Sequence, residues 1–88
     1  MQSQAHAANG VAARNLGKLD VAIRELQTAI ALDPHRDGTV YFYLGKVYES
    51  TKHPQNALAM FRIAHDIGPE DVRRLAAKEI SKLQNDAR

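Results

Sequence analysis

The two halves of this chain repeat each other at a spacing of 35 residues, and that register limits the fold more than any other feature. Residues 10–34 align on 45–69 without a gap. Gly10 falls on Gly45, Ala22 on Ala57, Ile23 on Leu58, Leu26 on Phe61, Ala29 on Ala64, Leu32 on Ile67 and Pro34 on Pro69. A period of roughly 20–50 residues marks a solenoid or an array of repeats. One such unit cannot bury its apolar face alone, so consecutive units must stack.

Within each unit the apolar residues follow helical steps. Tyr41, Leu44, Gly45 and Tyr48 recur three and four apart, as one helix face requires. Lys52-His53-Pro54 interrupts them, because proline is tolerated at a helix start but not in its interior. Ala57, Leu58, Phe61, Ala64 and Ile67 resume the spacing until Gly68-Pro69 stops it. In the first unit Gly17-Lys18-Leu19 reads as the turn and Asp20 as the cap of the helix that follows. Leu19, Ala22, Ile23, Leu26, Ala29 and Ile30 form its apolar stripe, and Asp33-Pro34 ends it. The spacing predicts helices near 3–16, 20–32, 39–51, 55–67 and 71–86. The fold class is therefore all-α: one domain over 1–88, with repeat one at about 3–36, repeat two at about 38–70 and a capping helix at about 71–86.

A glycine inside a helix costs about 1 kcal/mol relative to alanine. Two at equivalent places therefore imply close approach of the partner helix, with Leu26 and Phe61 filling the space alongside. The last helix carries Val72, Leu75, Ala76, Ile80 and Leu83 on one side and Arg73, Arg74, Lys78 and Lys82 on the other. Such a helix covers the final repeat and meets water with its polar face. Glu70 and Asp71 at its start suit the helix dipole.

These residues resemble the tetratricopeptide repeat family. Its pattern sets Leu-Gly in the first helix with a large residue three places on, then Ala, a large apolar residue, Ala and Pro along the second. Leu44-Gly45, Tyr48, Ala57, Phe61, Ala64 and Pro69 match it, and Gly17 to Ile23 with Ala29 to Pro34 are close. The first unit departs from it, with His6 in the aromatic's place, Asn9 in the leucine's and Ala13 in the tyrosine's. The period exceeds the family's 34 by one residue, placed between Pro34 and Thr39. The resemblance implies a right-handed solenoid of two antiparallel hairpins whose first helices line a concave groove that binds a partner protein. The implied groove positions are Gln4, Ala7, Val11, Arg14 and Asn15, then Thr39, Phe42, Lys46, Glu49 and Ser50. Phe42 is the expected anchor of a bound peptide or helix. The lysine and asparagine clamp that some members use on chaperone tails is not implied, because Ala7 and Val11 stand in its place.

No residue pattern points to catalysis or to a cofactor. The chain has no cysteine and only four histidines, none of them in a His-Glu-x-x-His arrangement. His6, His35 and His53 read as surface or loop residues and His65 as partly packed. A helix directs His65 and Asp66 about 100° apart, which is not a dyad. Ser3, Ser50 and Ser81 lie in no nucleophile elbow, and Gly10 and Gly17 form no phosphate loop. The net charge is +2, with no like-charged block longer than Arg73-Arg74, unlike the basic stripe of a nucleic-acid binder. Weak nucleic-acid contact through Arg73, Arg74, Lys78 and Lys82 remains an alternative. No apolar run approaches the ~20 residues of a membrane span. Met1-Gln2-Ser3-Gln4 lacks the basic stretch and apolar core of a signal peptide; the compartment is not fixed by the sequence, with the cytoplasm expected ahead of the periplasm. Ala5, Ala8, Ala12 and Leu16 make a second apolar face on the first helix, for which the candidate covers are a second copy of the chain, giving a homodimer, or further repeats; alanine costs little to expose, so a monomer stays open.

Overall fold

Glycine and proline set the helix ends, and the helices follow. The computed structural model describes residues 2–34 and 38–86, with side chains over 4–34 and 38–85. They form α1 (Gln2–Asn15), α2 (Leu19–Leu32), α3 (Thr39–Ser50), α4 (Pro54–Ile67) and α5 (Glu70–Asp86). No strand occurs among the described residues. Every expected boundary falls within one residue of the observed one. His35 lies outside the described residues.

The 35-residue register extends to the backbone. After α1, Gly17 takes φ +78°, the Lys18 N–H donates to the Ala13 carbonyl at 2.8 Å, and the Gly17 N–H donates to that of Arg14 at 3.0 Å. After α3, Lys52 takes φ 64°, the His53 N–H donates to the Tyr48 carbonyl at 2.9 Å, and the Lys52 N–H donates to that of Glu49 at 3.2 Å. Both ends are Schellman motifs, which satisfy the last carbonyls of a helix by reversing the chain through one left-handed residue. That reversal also decides where the next helix starts. α2 begins at Leu19 with Lys18 as its N-cap residue, and α4 at Pro54 with His53. The expected cap at Asp20 is not formed: Asp20 lies in the first turn, and α2 has no side-chain cap hydrogen bond. Its charge still favours the helix dipole from there.

Each hairpin closes on a glycine. A Cβ built on Gly10 would stand 2.6 Å from Leu26 Cγ, and one on Gly45 would stand 2.7 Å from Phe61 Cε1. α2 and α4 are thus drawn in to distances that only a bare Cα permits. One cluster, Ala13, Ala22, Leu26, Leu44 and Val47, joins the α1–α2 hairpin to α3. The other, Tyr41, Ala57, Phe61, Ala64, Val72 and Ala76, joins the α3–α4 hairpin to α5. Tyr41 is buried and its hydroxyl donates to the Pro34 carbonyl at 2.9 Å, pinning the connection between the hairpins. Tyr48, expected in the core, is only partly buried and accepts from Gln27 Nε2 at 2.9 Å.

Several side chains depart from expectation. Leu75 is exposed, because α5 packs through the steps Val72, Ala76, Ile80 and Leu83, and Leu75 lies off that line. Ile67 is exposed at the very end of α4. His65, expected to be partly packed, is exposed beside Asp66 at 3.9 Å. His6, expected at the surface, is half-buried and hydrogen-bonds Glu25 of α2. Among the described residues no helix is long and apolar enough to cross a membrane.

Candidate concave binding face

The odd-numbered helices share one face of the molecule. The α3 backbone approaches both α1 and α5, whereas α2 and α4 do not approach each other. This follows from the pattern of small residues: Gly10 and Gly45 bring each second helix onto its own first helix, and α3 is then left between α1 and α5.

Between α1 and α3 the face opens into a hollow of about 260 Å³, lined by Gln4, Ala7, Ala8, Val11, Leu26, Thr39, Val40 and Tyr43. Its cause is visible in the register. Ala7 and Ala8 occupy the places held in the second unit by Phe42 and Tyr43. Where the second unit has a phenyl ring, the first has a methyl group, and the gap between neighbouring hairpins stays open. Phe42 itself is partly buried against the second cluster, tilted on Phe61 at a centroid distance of 5.6 Å and edge-on to Tyr43 at 6.0 Å. The expected anchor thus packs within its own hairpin while staying partly exposed. The aromatic ring that borders open space is Tyr43, with the Arg14 guanidinium 6.0 Å from its centroid.

Between α3 and α5 the face is charged. Lys46 Nζ lies 3.3 Å from Glu49 Oε1 and 3.4 Å from Glu79 Oε1, while Lys82 Nζ lies 3.5 Å from Glu49 Oε2 and 3.8 Å from Glu79 Oε1. Two lysines and two carboxylates alternate in a closed ring, so Lys82 belongs with this face and not with the basic side of α5. Lys82 is exposed while Lys46, Glu49 and Glu79 are part-buried, and the ring ties α5 to α3. The Glu79 side chain is only 13% exposed, and its Oε2 has no hydrogen-bond partner.

Of the ten positions expected in the groove, Gln4, Ala7, Val11 and Thr39 line the hollow, Arg14 lies against Tyr43, one of its walls, and Lys46 and Glu49 sit in the ring. Asn15 and Ser50 are exposed beyond them, and the Ser50 hydroxyl donates to the Lys46 carbonyl of its own helix at 3.1 Å. Ala8, Leu26, Val40 and Tyr43 were not expected. The signal for them was the mismatch in size between Ala7-Ala8 and Phe42-Tyr43. Among the described residues no three His, Asp or Glu side chains gather as metal ligands would. Of the residues that would form a basic face on α5, Arg74 lies among Asp71, Leu75 and Lys78, and Arg73 beside His65 and Glu70. The surface there is mixed in sign.

No protein-family model matches the chain, and no curated protein matches it significantly.

Proposed function

We propose that this chain is a tetratricopeptide-type module, a short right-handed solenoid that holds a segment of another protein on the face made by α1, α3 and α5. It acts as a scaffold or adaptor and not as an enzyme. The observation that carries the reading is the apolar hollow between α1 and α3. Such an opening is smaller than the about 300–1,000 Å³ of small-molecule pockets. It suits one or two side chains of a peptide or an amphipathic helix laid in the groove.

A second reading, a packing or self-association module, has its own support. Ala5, Ala8, Ala12 and Leu16 are exposed, Leu16 to 72%. Their counterparts Val40, Tyr43 and Val47 on α3 are packed against the preceding hairpin. The same face of the repeat is thus covered once and bare once.

One experiment separates the two. Partners captured by the wild-type chain, by Ala7→Phe and by Leu16→Lys are compared by quantitative mass spectrometry, with light scattering for the oligomeric state. Concave-face binding predicts a partner lost with Ala7→Phe and kept with Leu16→Lys. The opposite pattern, or a dimer that Leu16→Lys dissolves, replaces it with the packing reading.

A further inference from the structure

The chemistry around the hollow goes further than its shape. Among the described residues the concave face carries Lys46 and Glu49 from α3 and Glu79 and Lys82 from α5, matched in ion pairs, and a fifth charged side chain from α1. Lys46 and Lys82 are each within ion-pair reach of Glu49 and Glu79. The fifth is Arg14, which has no carboxylate within ion-pair reach among the described residues. It is half-buried at the end of α1 with its guanidinium over the Tyr43 ring. Tyr43 is also a wall of the hollow. One unmatched cation is therefore held, by a contact that restrains its long side chain, against one wall of an apolar opening. His6 on α1 and Glu25 on α2 are hydrogen-bonded to each other.

We infer that the segment taken up on this face carries a bulky apolar side chain for the hollow and, next to it, a carboxylate for Arg14. This rests on the concave-face reading and adds the ligand's chemistry to it. The two parts do different work. Withdrawing a leucine- or phenylalanine-sized group from water into a cleft walled by Ala7, Val11, Leu26, Val40 and Tyr43 supplies most of the affinity. The guanidinium presents a planar fork of donors that a carboxylate meets with two parallel hydrogen bonds, which fixes direction and selects sign. A basic ligand would set like charge against Arg14, and the one unpartnered oxygen of the ring, Glu79 Oε2, is buried.

The test uses fluorescein-labelled peptides on a Gly-Ser background, read by fluorescence anisotropy with the intact chain. One peptide carries Leu followed by two Glu, one Leu followed by two Lys, and one Ala followed by two Glu. The Leu-Glu peptide is expected to bind at least about threefold more tightly than either of the others, less than a fully buried side chain or a fully formed charge-assisted bond would give because the hollow is open to water. Arg14→Gln should remove the preference for Glu over Lys while leaving the leucine dependence, and its circular dichroism should match wild type. Ala7→Phe should reduce binding of every peptide. Equal binding of the Leu-Glu and Leu-Lys peptides, or a preference that survives Arg14→Gln, overturns the ligand assignment and leaves the concave-face reading standing. Failure of all three peptides to bind at millimolar protein, or binding unaffected by Ala7→Phe, overturns both.

Discussion

Replacing each of the two helical glycines by alanine separates two environments that the register makes equivalent. In Gly45→Ala the new Cβ meets Phe61 Cε1, Cδ1 and Cζ at 2.7, 2.9 and 3.0 Å. Phe61 is fully buried among Ala57, Ala64, Val72 and Ala76, with Phe42 tilted against it. A ring so enclosed cannot rotate away, so the backbone of α3 or α4 must shift, at a cost of about 2–3 kcal/mol. Alanine returns about 1 kcal/mol through its better helix propensity. The net is a loss of about 1–2 kcal/mol. For a domain of this size that lowers Tm by about 5–15 °C. In Gly10→Ala the Cβ meets Leu26 Cγ, Cδ2 and N at 2.6, 2.8 and 3.3 Å. Leu26 is fully buried as well, but it also borders the hollow, which leaves its side chain space for a rotamer change. The clash is then eased in part, the propensity gain offsets much of the rest, and the loss stays below about 1 kcal/mol. Thermal melts followed by circular dichroism decide the matter. A Gly45→Ala protein as stable as wild type, or a Gly10→Ala protein harmed as much as Gly45→Ala, refutes the packing argument.

Ala7→Phe should fill the hollow as Phe42 fills its own gap, leaving stability unchanged or raising it by up to about 1 kcal/mol after helix propensity is subtracted; a large loss measured by urea titration would show that the hollow cannot accept a ring. Lys52→Gly should raise stability by about 0.5–1 kcal/mol, because a non-glycine residue is held at positive φ there, and an unchanged melt would mean that the lysine side chain makes a compensating contact. Gly17→Ala, the reciprocal change, should lose about 1 kcal/mol in the same assay. Tyr41→Phe removes the hydrogen bond to the Pro34 carbonyl and should lose about 0.5–1.5 kcal/mol, measured by chemical denaturation.

The helices were legible because their signals are local. Pro34, Pro54 and Pro69 exclude helix interiors, Gly17 invites a left-handed reversal, and the apolar steps between them leave one period. Gly10 with Leu26 and Gly45 with Phe61 were legible as well, since two coincidences in register are hard to produce otherwise. What failed depended on contacts distant in sequence. Phe42 sits on a helix position that faces either a ligand or a neighbouring helix, and in the structure its ring tilts on Phe61 of α4. Leu75 and Ile80 both fit the apolar side of α5 by spacing, and the rotation of that helix on its neighbours exposes the first and covers the second. Asp20 has the side chain of a cap, but the Schellman turn had already placed the helix start one residue earlier. Lys82 looked like solvent-facing charge until α3 supplied Glu49 across the interface.

The contact between the two hairpins bears on how the molecule comes apart. Helices touch mainly their sequence neighbours, and the α1–α2 and α3–α4 pairs are joined more extensively than the hairpins are to each other. Chains with such local contacts fold quickly, and their units open separately when the seam between them is weak. The hollow lies on that seam, with one wall from each hairpin. A ligand seated in it bridges two units that can otherwise unfold one at a time, so occupancy would be felt as cooperativity: the bound protein would melt as a whole, and the free one from its ends inward.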